Sequence, residues 1–391
     1  MSDQESDIEQ DVLDDTIVNK YKMAAEVTNA VLLELIDRCV DGASILELCE
    51  LGDKRINEKV SQFFKKEKEM KKGIAFPTSI SLNNIMCHYS PIDGEENDPV
   101  EIKNGDLVKI NVGAHVDGYA AIVGHTMVVG ASQNNKVTGK KADVIVAAHT
   151  AAEAILRTLR PNIENTRASE VVGKATLDFN CHPVEGMQCH QMKRLIYDAE
   201  KSIVFSPTEE QKKTIEKCTF DTNDVWNVDI IVSTGDGKPR EHKARTTLYK
   251  KNETLYQLKM KASRLRLQIN VWPTHSISGK LLPLKYTYLF SALEDVKKAR
   301  LGITECIKHG VIQPLSVYCE KDEEFVAQFR FTVLLMPNGP MKVTGLPFDS
   351  SLYKSELKVK DQDIKELLAQ PVKIQSKKKK TKSETGDKIT A

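Results

Sequence analysis

Lysine is the residue whose clustering in this chain most directly suggests chemistry. Lys65, Lys66, Lys68, Lys71 and Lys72 fall in the run KKEKEMKK; Lys377, Lys378, Lys379 and Lys380 are consecutive, with Lys382 just beyond; and Lys259, Lys261, Arg264 and Arg266 stand close to Tyr256. Cations at this density contact phosphates and gain from counterion release. Each cluster also has a plainer explanation. The first reads as the end of a helix, where lysines complement the macrodipole, and the last suits a nuclear localisation signal or a solubilising tail.

Lys plus Arg number 56 against 55 Asp plus Glu, a net charge of +1. That balance excludes a uniformly basic surface, so any nucleic-acid contact must come from local patches. Eight cysteines are scattered without a Cys-x-x-Cys pair or zinc-like spacing, as expected of reduced thiols inside a cell. The start, MSDQESDIEQDVLDD, lacks the basic and apolar stretches of a secretory signal, and no run approaches the roughly 20 apolar residues a membrane span needs. No membrane insertion is expected.

The elements that must position these groups follow from periodicity. Residues 1–15 are too acidic to fold alone and read as a disordered tail. A helix is predicted over Ile17–Val40, with Val27, Val31, Leu32 and Leu35 on one face and Asp41-Gly42 as its exit. Ser44 and Glu47 form a capping box before a second helix carrying Ile45, Leu48, Ile56, Val60 and Phe64. LVKINVGAHV and YAAIVGHTMVV around Asp117-Gly118 predict a β-hairpin. KKADVIVAAHTAAEAILRTLR predicts a helix closed by Pro161, with another over about 166–179. The grammar then repeats: VWNVDIIVST, the GDG turn at Gly235–Gly237 and RTTLYK predict a hairpin-like unit, and FVAQFRFTVLLMP a long strand. Residues 250–310, with the helical run LEDVKKARLGITECIKHG, read as an insertion within a body spanning 16–353. DQDIKELLAQ predicts a short helix, and the Lys-rich remainder of 354–391 reads as disordered.

Two helices followed by antiparallel strands, repeated once, give an α/β (α+β) chain that resembles the pita-bread creatinase/aminopeptidase fold, with its pseudo-two-fold repeat and, in the type 2 branch, an inserted helical subdomain. AFPTSISLNN with CHYSP, GDLVKINVG, VDIIVSTG and FVAQFRFTVLLMP are similar to the successive active-site strands of methionine aminopeptidases, peptidase family M24. The segment KKEKEMKKGIAFPTSIS and the basic tail resemble the proliferation-associated, ErbB-receptor-binding group of non-catalytic relatives of the type 2 enzymes.

That resemblance implies a degenerate metal site. Active members bridge two divalent ions with two Asp, one His and two Glu. The matching positions here are Asn111, Ile122, His190, Asp229 and Arg330. One carboxylate and one permanent guanidinium replace four carboxylates, and such a cation would repel a dication by several kcal/mol at roughly 4 to 5 Å with an effective dielectric near 20. The expectation is a chain with no metal, no cofactor and no catalytic residue, in which Arg330 pairs with Asp229 inside the former metal pocket. His88 matches a substrate-assisting His, whereas Asp198 stands where a second pocket His is expected. His88 and His190 read as hydrogen-bonded residues of a polar cleft, the alternative being a surviving pocket for a peptide end. Asp117 belongs to its Asp-Gly turn rather than to a ligand set.

The resemblance further implies a monomer that binds the large ribosomal subunit and its rRNA near the exit tunnel, in cytoplasm, nucleus and nucleolus, with roles in ribosome biogenesis, translation and growth control. Two other readings compete: a working metallo-aminopeptidase with unusual ligands, and a nuclear adaptor for transcription regulators or receptor tails. The adaptor reading draws on IKELL (Ile364–Leu368), which is similar to a coregulator box but has Ile in place of the first Leu.

Overall fold

Capping residues set where the first two helices begin. The computed structural model describes residues 13–93, 99–252, 254, 283–285 and 296–372. Helix α1 (Asp15–Arg38) starts where the Asp14 carboxylate accepts the Ile17 amide at 2.7 Å, and the chain leaves it through Gly42 at φ +79°. Helix α2 (Ile45–Val60) starts where Ser44 Oγ accepts the Glu47 amide at 3.4 Å. It ends earlier than the apolar pattern suggested: Phe64 lies beyond it, in the left-handed region at φ +44°. Lys59 is the cation of its last turn, so the Lys65–Lys72 run is not a helix terminus and dipole compensation does not explain it.

The strands of the first half are β1 (Lys72–Leu82), β2 (Ile85–Cys87), β3 (Leu107–Val116), β4 (Tyr119–Val128) and β5 (Val137–Thr138). Strands β3 and β4 pair without interruption from Leu107↔Val128 to Val116↔Tyr119, and Asp117 at φ +55° with Gly118 at φ +83° supplies the tight turn. Strand β1 pairs with β3, but its register breaks on either side of Phe76, next to Pro77, which has no amide to give the ladder.

The second half repeats the order. Helices α3 (Gly139–Thr158) and α4 (Asn165–Leu177) are followed by β6 (His182–Pro183), β7 (Gln188–Met192), β8 (Ser202–Val204) and β9 (Val225–Ser233). Then come β10 (Arg240–Glu241), β11 (Leu248–Lys251), β12 (Leu284–Lys285), helix Val296–Lys308, β13 (Ile312–Leu315), β14 (Tyr318–Cys319), β15 (Val326–Met336), β16 (Gly339–Lys342) and β17 (Tyr353–Lys354). The main sheet runs β1-β3-β4-β15-β9-β7-β8, with β16 also on β15 and β6 also on β9. Each half places its strands from the outside in, β1-β3-β4 and β7-β9-β15, so the innermost strands β4 and β15 meet at a pseudo-two-fold seam. This is the pita-bread fold. The Ala-rich face of α3 and the buried residues of α4 cover the second half, and α1 and α2 cover the first.

One expected unit is not formed. VWNVDIIVST does not make a hairpin with RTTLYK: β9 lies between β15 and β7. Both its edges are thereby taken, and the chain turns away through Gly237 at φ +70° to feed two small sheets, β10-β14-β2 and β12-β11-β13. Of the predicted helix LEDVKKARLGITECIKHG, Val296–Lys308 is helical, and the preceding residues lie outside those described. Helix Gln362–Ala369, capped by Asp361, packs back on the body with Ile364 fully buried. None of the described helices is long and apolar enough to cross a membrane.

Candidate functional site

The seam between β4 and β15 gathers the residues that the sequence singled out. Arg330 on β15 lies opposite Gly124 on one side and Asp229 on the other, and Gly124 lies opposite Asn111. Strand alternation then brings Gln328 and Asn227, each two residues from a paired position, to the same face. Gly124 is required by closeness: a Cβ there would fall 2.7 Å from Arg330 Cβ and 2.7 Å from Asn111 Oδ1.

Arg330 is 2% exposed, and its surroundings account for its charge. Nε donates to Asn227 Oδ1 at 2.9 Å and Nη2 to the Tyr197 hydroxyl at 2.6 Å. The guanidinium carbon sits 4.3 Å from the Phe76 ring centre and 5.7 Å from that of Tyr197, rings that stack on each other at 27°. Asp229 Oδ2 is 3.7 Å from Arg330 Nε, an ion pair without a hydrogen bond. The expected pairing is thus present as an ion pair inside the pocket, while Asn227 and Tyr197 take the guanidinium's hydrogen bonds. Asp229 Oδ1 instead accepts from Gln328 Nε2 at 2.6 Å, and Gln328 Oε1 accepts from Asn111 Nδ2 at 2.7 Å. Asn111 thus supplies a donor where a carboxylate would have set an oxygen against Gln328 Oε1.

Burial sets the titration of this pocket. It raises the Asp229 carboxyl, with Arg330 and Gln328 holding it partly down, and it raises the Tyr197 hydroxyl. His88 is pushed down to about 4 by burial and by Arg330, against its hydrogen bond to the Ser316 carbonyl at 3.0 Å, and its backbone stands at φ +65°. His190 on β7 lies opposite Asn227, its ring 6.3 Å from Tyr197. Ile122 is fully buried, and its amide donates to Thr332 Oγ1 at 2.9 Å. Asp198 bonds Lys250 of β11 at 2.5 Å, a buried pair that ties β11 to the pocket wall. Asp117 stays at its hairpin tip, held by Lys20 and Arg194, both at 2.6 Å.

A pair of divalent ions does not fit this set. Hard dications need several anionic oxygens, and here Asp229 is the one carboxylate among the five matching positions, with a guanidinium nitrogen 3.7 Å away. Among the described residues, no group of three or more His, Cys, Asp and Glu side chains could hold a metal ion.

The basic candidates divide. Lys65, Lys66, Lys68 and Lys71 are exposed in the turns that join α2 to β1. Lys72 is drawn inward: its ammonium donates to the carbonyls of Phe63 at 2.6 Å and Phe64 at 3.3 Å, closing that connection. Lys259, Lys261, Arg264 and Arg266, with Tyr256, and the run Lys377–Lys380 with Lys382 lie outside the described residues. The apolar side of IKELL faces the body, where Leu367 and Leu368 join the core beside Ile364.

Gln328, Asn227, Gly124, Phe76 and Tyr197 were not singled out by sequence reasoning. Period-two alternation around Arg330 and Asp229 was a usable signal for Gln328 and Asn227. For the two rings and Gly124 there was none, because they meet Arg330 only through tertiary packing.

The fold and this pocket define a class that comparison makes explicit. A model of metallopeptidase family M24 matches residues 19–218, and the chain belongs to that family. Within it, the chain is 40% identical over 360 residues to ErbB-3 binding protein 1 of Arabidopsis thaliana, covering 91% of this chain and 86% of that one. It is 36% identical to the curved DNA-binding protein of Schizosaccharomyces pombe, covering 93% of each. Among solved structures it is similar to a thermophilic Arx1, with a TM-score of 0.81 and 28% identity over 92% of this chain and 99% of that one.

Proposed function

We propose that this protein is a non-catalytic member of its family that binds ribosomes and rRNA of the large subunit, as a monomer, near the exit tunnel. In this reading it serves ribosome biogenesis, translation and growth control, in the cytoplasm and in the nucleus including the nucleolus. One observation carries the non-catalytic part: the Arg330 guanidinium lies against the rings of Phe76 and Tyr197, 3.7 Å from the carboxylate that a metal would need. A general base without a metal-activated water has nothing to activate, which leaves His88 and His190 as structural residues of a polar cleft.

The RNA-binding part is supported by the four exposed lysines Lys65, Lys66, Lys68 and Lys71, by the lysine-rich sequence Lys377–Lys382, and by a relative named for binding DNA. Burial of Ile364 weighs against reading IKELL as a coregulator box, and deletion of the C-terminal lysine run, followed by location and RNA retention, separates the adaptor reading from this one. Cosedimentation with large ribosomal subunits tests the proposal: binding at low salt that falls steeply as salt rises is expected, and absence of binding at low salt contradicts it. Cleavage of Met-peptides with added cobalt or manganese, abolished in His190→Ala, would return the chain to the hydrolases.

A further inference from the structure

A groove of about 550 Å³ runs along the first half of α1, and the α2–β1 connection forms its far wall. Met23, Phe64 and Met70 give it an apolar floor, packed on the small cluster of Ala24, Ala25, Val116 and Ala121. Two successive turns build the far wall: the Glu67 amide donates to the Phe64 carbonyl at 3.0 Å, and the Met70 amide to the Glu67 carbonyl at 3.3 Å. Side chains three apart in such turns lie on one side. Phe64, Glu67 and Met70 accordingly line the groove, while the exposed lysines Lys65, Lys66, Lys68 and Lys71 stand outside the lining. Phe64 holds a left-handed backbone at φ +44°, which is costly for a bulky residue. The Lys72 ammonium secures it by donating to the Phe63 and Phe64 carbonyls, and the Asp117 amide fixes the Lys71 carbonyl at 2.7 Å. The half-buried ring is a platform set in place by its surroundings.

We infer that this groove takes one unpaired nucleobase of a single-stranded RNA, stacked on Phe64, while the flanking phosphates meet the lysines of the connection. The inference deepens the proposed RNA binding and rests on it. Two features select a base. The lining favours neither sign of charge, since Lys22 is balanced by Glu26 and Glu67, and Lys20 is committed to Asp117 at 2.6 Å. A free ion gains nothing there, whereas a neutral ring with donors and acceptors along its edge suits Thr16, Asn19 and the two carboxylates. The second feature is that the unpaired cations lie beside the groove instead of in it. A nucleotide is divided in the same way, its sugar holding a neutral ring apart from an anionic phosphate. Splayed bases stack on aromatic rings in this manner, next to cations that track the backbone. An apolar peptide side chain would cover the floor but leave the four lysines without a role.

Affinity of the full chain for a short single-stranded RNA, compared with an abasic strand of the same length and charge, tests this. The abasic strand should bind about tenfold more weakly, the order expected for one stacked base. Both strands should show the same salt slope, because the phosphate contacts are unchanged. Phe64→Leu, which keeps apolar bulk and removes the ring, should erase the preference for bases, and Phe64→Trp should keep it. Met23→Ala, which leaves the strained turn untouched, should reduce it several-fold. Equal affinity of the natural chain for the two strands overturns the inference and leaves RNA binding standing, whereas failure to bind either strand overturns both. A preference that survives Phe64→Leu and Met23→Ala places the bases elsewhere and also overturns it. Photocrosslinking of thiouridine-substituted RNA to the natural chain gives a readout that needs no variant: adducts on Met23, Phe64 or Met70 are expected, and adducts only outside the groove contradict the inference.

Discussion

The seam at Gly124 and the connection at Lys65–Lys71 carry charge of the same sign under opposite conditions. At the seam a single guanidinium is almost fully buried and committed to Asn227, Tyr197, two aromatic faces and a nearby carboxylate. In the connection four ammonium groups stand exposed to solvent. The difference teaches where each region's function can lie. A buried cation is part of the structure and excludes other cations from its site, whereas exposed cations add little stability and remain available to a ligand.

Arg330→Met attacks the seam most directly. It leaves Asp229 buried without its cation, and chemical unfolding should show a loss of roughly 3–5 kcal/mol. The loss should be smaller in acid, because without Arg330 the Asp229 carboxyl rises further and protonation then removes the buried charge. A pH-independent difference would show that Asp229 is not what Arg330 compensates.

His88 gives the next effect, with its own pH window. Its folded-state value is depressed to about 4 from 6.5, so its contribution is present above 6.5 and lost as pH falls towards about 4. The amount is up to about 3 kcal/mol, and His88→Gln should flatten that part of the stability curve. Gly124→Ala follows, since its Cβ would crowd both Arg330 and Asn111. Overpacking of this kind should cost about 1–3 kcal/mol, measurable as a lower melting temperature.

The smallest stability effect belongs to the surface. Replacing Lys65, Lys66, Lys68 and Lys71 by Gln should change stability by no more than about 0.5 kcal/mol per site. The same changes should flatten the log–log salt dependence of RNA binding by about 0.7 for each lysine that contacts phosphate. An unaltered slope would remove this connection from the RNA-binding surface.

Local grammar made much of the fold legible. Asp117-Gly118 announced the β3–β4 hairpin, Ser44 with Glu47 announced the start of α2, and the aliphatic and aromatic run around Arg330 announced β15. Pairing across long separations was not legible: nothing in VWNVDIIVST says that both edges of β9 are taken by β7 and β15, and the hairpin expected there does not form. In the pocket, residue types revealed that carboxylates were missing and that a cation had arrived. They did not reveal that Tyr197, Asn227 and Phe76 would receive the cation, because those contacts depend on how separate strands and loops stack. The end of α2 was misjudged for a related reason. Phe63 and Phe64 continue the apolar pattern after the helical backbone has stopped, and they pack from a turn instead.

Metal binding by the purified protein tests the central claim most directly. Native mass spectrometry with excess manganese or cobalt should detect no specifically bound ion. Two ions bound per chain, lost in Asp229→Asn and His190→Ala, would contradict the account and place a working metal centre beside the guanidinium.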